Sequence, residues 1–340
     1  MEKKLKRETN NFIFKYQKED VDEKLTALLG NDFKKYREDF YRAENYPKTG
    51  FIPAFPLTLY VEFVNRCNYN CIMCYKKHHQ EPIAELDLSI FQKIMKEAKE
   101  NNLPSINLGM GAEMFLYKDI KKAIEMVKDA GIKDIFFSTN ASLLNDELIE
   151  LIVKNKITRI KISLDAATVG TYKKIRRDSD LEKVEKNIEK IIECKKKYGS
   201  ILPLIRLSFV VLDQNKGETR QFIEKWKDKV DYIDFQRCID FAYVDQPATI
   251  SPKTLEKSFC PGPFYSLSIW ADGTVTPFCS FYDLKLPMGN VYKQSLKKIW
   301  NGDNIKKIRQ QIISKNFNPA CQKCLYFEDN TFIENIPNQA

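Results

Sequence analysis

The stretch that decides the fold is Leu57-Thr58-Leu59-Tyr60-Val61-Glu62-Phe63-Val64, followed closely by Arg66-Cys67-Asn68-Tyr69-Asn70-Cys71-Ile72-Met73-Cys74. The first part is rich in β-formers and alternates imperfectly, which predicts a strand. The second sets three cysteines in a short loop with the spacing C-x3-C-x2-C. Iron–sulfur clusters are normally held by four thiolates, so three on a cubane leave one iron open to another ligand. Zinc is the competing reading, because C-x2-C pairs are common in zinc sites; its thiols usually come as two separated pairs. A disulfide trio is not expected. No apolar h-region follows Met1-Glu2-Lys3-Lys4-Leu5-Lys6-Arg7, and cytosolic thiols stay reduced.

Composition narrows the classes. The chain has 340 residues, enough for one large domain and a small one. Hydrophobic residues make up 43% and aromatics 12%, which supplies a core and excludes wholesale disorder. Nine cysteines without a secretion signal point to metal or catalysis rather than a disulfide framework. No apolar stretch approaches the ~20 residues that span a bilayer, so a cytoplasmic protein with no membrane partner is expected. The net charge of +9 is spread over helical runs and reads as solvated helix faces. With no nucleic-acid motif and no dense basic–aromatic patch, nucleic acid is not an expected partner.

Outward from the cysteine loop, residues 1–50 read as a charged helical extension. Val21 to Leu29 is amphipathic, Gly30 stops it, and Pro47, Pro53 and Pro56 mark the boundary. From there strand-like runs at 57–64, 105–108, 134–138, 159–164, 205–212 and 232–236 alternate with helical runs such as 88–101, 118–130 and 181–198. Six β/α repeats indicate an α/β fold, a parallel sheet wrapped by helices. Eight would close a full barrel. Active sites of such sheets lie at the carboxyl ends of the strands. Asp213 and Glu218, after the fifth strand, are candidate general bases for a substrate hydroxyl. Cys238 lies just past the sixth. Cys194, late in a helix, reads as a structural thiol, and His78 and His79 as loop residues.

The strand and its cysteine loop resemble the start of the catalytic domain of the radical S-adenosylmethionine (SAM) superfamily. The six repeats resemble that family's partial (β/α)6 barrel, expected over residues 51–245. The resemblance implies that Cys67, Cys71 and Cys74 hold a [4Fe–4S] cluster whose open iron is chelated by SAM. Reductive cleavage then gives methionine and a 5′-deoxyadenosyl radical. Gly109-Met110-Gly111-Ala112-Glu113 resembles the glycine-rich element that receives the methionyl amine, although Ala112 and Met114 depart from the family form. Asn140, in Ser138-Thr139-Asn140-Ala141, resembles the family's Thr-Asn-Gly turn. Ser163 and Arg176 resemble residues that contact the ribose and carboxylate of SAM, and Met73 takes the position that packs near adenine.

A second constellation is Cys260, Cys279, Cys321 and Cys324, spaced C-x18-C-x41-C-x2-C. A strand, an Asp272-Gly273 turn and a second strand between the first two form a hairpin signal. Four cysteines are chemically adequate for zinc. The run also resembles the C-terminal SPASM/twitch domain of the same superfamily, down to Gly289-Asn290 and Ile299-Trp300. That small α+β domain is expected over residues 255–328. The resemblance implies one auxiliary [4Fe–4S] cluster, fully ligated by these four cysteines.

The superfamily implies the initiating hydrogen abstraction far better than the product. The favoured reading is dehydrogenation, dehydration or epimerisation of a carbohydrate, aminocyclitol or nucleotide sugar, by an oxidoreductase or epimerase. The four-cysteine module resembles that of aminoglycoside-type dehydrogenases, and a thiol at Cys238 could return a hydrogen atom in an epimerase. The alternatives are a peptide or protein maturase and a zinc-stabilised binding protein. Partners are then a small-molecule or peptide substrate and a reductant such as flavodoxin or ferredoxin.

Overall fold

The computed structural model describes residues 12–17, 19–77, 81–238, 259–277 and 286–321. The repeat unit begins with β2 (Thr58–Val61), α4 (Leu88–Glu100), β3 (Ser105–Asn107), α5 (Ile120–Asp129) and β4 (Asp134–Thr139). It continues with α6 (Asp146–Lys154), β5 (Arg159–Ser163), α7 (Val169–Arg176), α8 (Leu181–Lys197), β6 (Leu204–Val211), α9 (Thr219–Trp226) and β7 (Tyr232–Arg237). Strands β2 to β7 lie side by side in chain order, all parallel. The sheet is open, as a partial barrel requires.

Alternation sets its two faces. Leu59, Val61, Ile106, Ile135, Phe137, Ile160, Ile162, Leu207, Phe209, Ile233 and Phe235 are buried in the main apolar core, which the helices cover. The helices meet them with periodic apolar faces; α5 buries Ile120, Ala123, Ile124 and Val127. Fully burying such a side chain contributes about 1.5–3 kcal/mol. The starts of α4 and α6 are capped by side chains: Asp87 accepts the Ser89 amide at 2.8 Å, and Asn145 the Leu148 amide at 2.9 Å.

The inner face is polar. Arg159 pairs with Asp134 and Arg206 with Asp234. Ser105 and Thr158 also donate to Asp134, at 3.1 and 2.7 Å, and Ser208 to Asp234 at 3.1 Å. Arg159 lies over the Phe136 ring, 4.4 Å from its centroid.

Both edges of the six-stranded sheet are occupied. The N-terminal segment was expected to be helical throughout, but β1 (Phe12–Gln17) is a strand, antiparallel to β7. An unprotected edge offers a row of unmet hydrogen bonds, and a Phe-Ile-Phe-Lys-Tyr segment has the propensity to take them. The helices that follow are α1 (Val21–Leu29), the stretch read as amphipathic, α2 (Asn31–Glu44) and the short α3 (Tyr46–Thr49), whose first turn takes in Pro47 rather than stopping at it. Leu25, Phe33, Tyr36 and Ala43 form a second core with Leu57, Leu202, Leu204 and Tyr265. These helices therefore sit at the amino ends of β2 and β6.

On the other edge, the C-terminal part extends the sheet. It comprises α10 (Gly262–Tyr265), β8 (Ser266–Ile269), β9 (Thr274–Pro277), β10 (Gly289–Asn290), α11 (Leu296–Trp300) and α12 (Asp303–Ile313). β8 pairs parallel with β2, and β9 and β10 follow antiparallel, giving ten strands among the described residues. The Trp300 indole donates to the Pro53 carbonyl at 2.8 Å, with Arg309 4.1 Å from its ring centroid. The expected boundary between residues 245 and 255 lies outside the described residues.

A candidate cofactor site at the carboxyl ends of the strands

The cysteine loop leaves the carboxyl end of β2 and is fastened to its neighbours by backbone bonds. Met110 N donates to Val61 O at 3.3 Å, Glu113 N to Arg66 O at 3.4 Å, and Ile72 N to Ile175 O at 2.9 Å. Cys67 Sγ accepts from Tyr69 N at 3.5 Å and from Asn140 Nδ2 at 3.9 Å. Asn140 Nδ2 also donates to Asn68 Oδ1 at 2.9 Å. Cys71 Sγ lies 3.8 Å from the Arg176 carbonyl. Ends of β2, β3 and β4 and the last turn of α7 thus surround one loop.

Cys67 and Cys71 are shifted by their surroundings. Burial pushes the Cys67 thiol up to about 11, with Glu113, Cys71 and Cys74 adding to the shift, although the loop's outer surface is open. Burial also raises Cys71, opposed by Arg176 and assisted by Asp165 and Cys74. Among the described residues no three Cys, His, Asp or Glu side chains converge on a single metal ion. Neighbouring thiols with N–H donors are the set an iron–sulfur cluster takes.

The glycines have steric causes. A Cβ on Gly109 would lie 2.6 Å from the Ser138 amide nitrogen. On Gly111, at φ +75°, it would lie 2.5 Å from Glu62 Oε1 and 2.8 Å from Tyr75 Oη. Glu113 is only 2% exposed. It accepts Thr139 Oγ1 and the Asn140 amide, both at 2.8 Å, and the Phe115 amide at 3.4 Å. Burial still holds its carboxyl above the usual range. The turn after β4 and the glycine element are therefore one hydrogen-bonded unit.

Arg176 was read as a contact for a cofactor carboxylate. It is 7% exposed, and its guanidinium is committed to Asp165, with Nε 2.7 Å from Oδ2. Asp165 was not singled out, although it stands in the same run as Ser163. Ser163 ends β5, half-buried and opposite Ser208 in register. Met73 is half-buried against the main core.

Glu62 was also missed. It is buried, 3.3 Å from Lys76 Nζ, and accepts the Ala271 amide at 3.4 Å, which links the cysteine loop to the C-terminal hairpin. Its one visible signal is a charge inside an apolar strand run.

The two candidate bases have other occupations. Glu218 accepts Ala167 N, Thr168 Oγ1 and Thr171 Oγ1 at 2.7, 2.7 and 2.5 Å, and so braces the start of α7. Burial works against its charge, yet these donors keep its carboxyl below the usual range, which is the opposite of a proton acceptor. Asp213 is exposed and pairs with Lys216 at 2.9 Å. Cys238 is half-buried one residue past β7, at the same end of the sheet as the cysteine loop. Cys260 precedes α10 and Cys321 follows α12; both are half-buried, and burial pushes Cys321 up to about 11. Cys279, Cys324, His78 and His79 lie outside the described residues.

Comparison with known proteins follows the same division. Residues 61–224 match the Radical SAM superfamily, and residues 260–325 an iron–sulfur cluster-binding domain, SPASM. The GTP 3′,8-cyclase of Clostridium botulinum is 36% identical over 141 residues, 39% of this chain and 42% of that protein. A probable GTP 3′,8-cyclase of Methanococcus maripaludis is 33% identical over 149 residues, 44% and 47%. The chain spans about half the length of the curated relatives it matches. Streptococcus suis SuiB, solved with S-adenosylmethionine, superposes with a TM-score of 0.58 at 15% identity, over 78% of this chain and 70% of that one. The protein anSMEcpe with bound AdoMet gives 0.57 at 17% identity, over 80% and 84%. These two likenesses are of fold. No helix among the described residues is long and apolar enough to cross a membrane.

Proposed function

Because the chain belongs to the radical SAM superfamily and carries a C-terminal SPASM domain, we propose that it abstracts hydrogen from a C–H bond of a polyhydroxylated small molecule. Its cofactors are the SAM-binding [4Fe–4S] cluster, S-adenosylmethionine and an auxiliary iron–sulfur cluster. Cys67, Cys71 and Cys74 would hold the first, and Cys260, Cys279, Cys321 and Cys324 the auxiliary one. When bound, the cluster and SAM supply the 5′-deoxyadenosyl radical. The observation that carries the reading is the junction of the three-thiol loop with the glycine turn and Asn140 at the ends of β2, β3 and β4.

The chain's own residues divide the remaining work. Gly109 and Gly111 leave room for close backbone approach beside the loop. Glu113, held by Thr139 and Asn140, faces a cationic amine best, because such a charge would favour its ionised form. Asn140 orients Cys67. With SAM bound, Met73 would pack on the adenine and Ser163 would meet the ribose. Arg176 positions the loop through its carbonyl and through Asp165.

The substrate class is a carbohydrate, aminocyclitol or nucleotide sugar. The inner face of the sheet carries paired charges and, less deeply buried, Ser138 and Lys161, which suit a ligand dense in hydroxyls. Relatives named for GTP cyclisation support a ribose-bearing molecule. SuiB, whose fold this chain shares, is solved bound to the precursor peptide SuiA, and a peptide or protein maturase is the second reading. The zinc-bound scaffold is set aside by the family membership. A reductant such as flavodoxin or ferredoxin and a cytoplasmic location belong to the same proposal, since thiolate ligands need a reducing compartment.

The test is iron and sulfide content after anaerobic reconstitution. About eight irons are expected in the wild type and about four in Cys67→Ala/Cys71→Ala/Cys74→Ala. Only the wild type should make dithionite-dependent 5′-deoxyadenosine. Stoichiometric zinc without sulfide or 5′-deoxyadenosine would sink the reading. Cys238→Ala then separates the outcomes. Lost turnover with intact SAM cleavage marks epimerisation, and unchanged turnover removes Cys238 as a hydrogen donor.

A further inference from the structure

The charges on the inner face of the sheet fall into pairs: Arg159 with Asp134, Arg206 with Asp234, and beside them Arg176 with Asp165. Lys161 stands outside this pairing. It lies on β5 on the same face as Arg159 and Ser163, opposite Ser138 of β4 and Arg206 of β6 in register. Among the described residues its side chain makes no hydrogen bond and no ion pair. It is half-buried rather than sealed.

The charges that reach it are Arg206, Asp234, Asp165 and Arg176, all already partnered with one another. Burial first, and then Arg206, pulls its ammonium down to about 8. Three balanced pairs plus one lysine leave the surface with an excess positive charge. A cation inside a protein without a counter-ion destabilises the fold, and such costs are found where function needs them.

Resting on the radical reading above, we propose that Lys161 anchors an oxyanion of the substrate, a phosphate or a carboxylate, on the inner face of the sheet. A lysine is a compact charge with three donors and suits such a group, and Arg206 lies next to it. Lys161 is two residues below the carboxyl end of β5, about 7 Å at the usual strand rise. An anion held there points inward. The rest of the substrate then extends toward the cysteine loop, where its C–H bond is needed.

The test uses the reconstituted protein with SAM and three probes: pyrophosphate, citrate and uncharged glucose. Equilibrium dialysis should show pyrophosphate or citrate, but not glucose alone, bound to the wild type. Affinity should fall at least about tenfold in Lys161→Gln and be largely retained in Lys161→Arg. Which anion binds tells phosphate from carboxylate. In thermal melts Lys161→Met should unfold above the wild type without a probe, and the probe should raise only the wild type. Iron content and circular dichroism establish that each variant is folded, and Lys161→Met replaces Lys161→Gln if the latter is not. Equal binding by wild type and folded variant, or no binding of either anion, overturns the assignment. Absence of 5′-deoxyadenosine from the wild type is a separate failure, that of the radical reading, whatever the probes do.

Discussion

Asp165 accepts the Nε of Arg176 through Oδ2 and the amide of Val210 through Oδ1, both at 2.7 Å. The carbonyl of the same Arg176 meets the Cys71 thiol. One buried pair therefore joins the ends of β5 and β6 to α7 and to the cysteine loop.

Removing one partner of that pair strands the other. Asp165→Ala should lose about 3–5 kcal/mol in urea denaturation followed by circular dichroism. The double change Asp165→Leu/Arg176→Met should lose less. A single variant within about 0.5 kcal/mol of wild type would mean that the pair does not hold the site together.

Glu113 collects its donors from the turn after β4. Glu113→Ala leaves the Thr139 hydroxyl and the Asn140 amide without their acceptor, which costs about 1–3 kcal/mol. It should also weaken SAM binding, with a dissociation constant at least about tenfold higher by equilibrium dialysis. Unchanged SAM affinity would limit Glu113 to a role in folding.

Glu62 predicts a pH dependence. Burial holds its carboxyl up at about 7 from the usual 4.5, against the pull of Lys76 and the Ala271 amide. Between these values the folded chain binds more protons than the unfolded one. The contribution of Glu62 is then full below about pH 4.5 and is lost as pH rises through 7. Glu62→Gln, neutral at every pH, should flatten the fall in melting temperature between pH 5 and 8. Parallel curves for the two proteins would remove Glu62 as the cause.

Glu218 and Asp213 should separate cleanly. Glu218→Ala removes the acceptor at the start of α7, and its cost is that of a lost cap, about 1–2 kcal/mol. Asp213→Ala, on the surface, should stay within about 0.5 kcal/mol. Neither should change the shape of the pH–rate profile. A lost acidic limb in Glu218→Ala would return it to the list of proton acceptors.

The parallel strands were legible in the sequence because each is a short apolar run closed by turn residues. The run expected at 159–164 is Arg159–Ser163, and that at 232–236 is Tyr232–Arg237. The cysteine loop was legible because its spacing is local. β1 was not, since its strand state depends on β7, an edge supplied at the far end of the barrel. The partners of Glu218 and Arg176 were not legible for a related reason. Position after a strand places a residue near the rim, but its partner, Thr171 or Asp165, is decided by how α7 packs. Glu62 looked like one more strand residue because Lys76 and Ala271 reach it only in the folded chain.

The pairing of β2 with β8, in which Leu59 faces Leu267, also has a consequence for synthesis. The ribosome releases β2 and its cysteines long before Ser266 emerges, so one edge of that strand stays bare while the rest of the barrel is made. Such an edge is a template for association with other chains, and contacts so distant in sequence form slowly. A chain released before Ser266 keeps that edge open and should self-associate. Docking of the C-terminal hairpin and protection of the strand beneath the cysteine loop are thus a single late event in biogenesis.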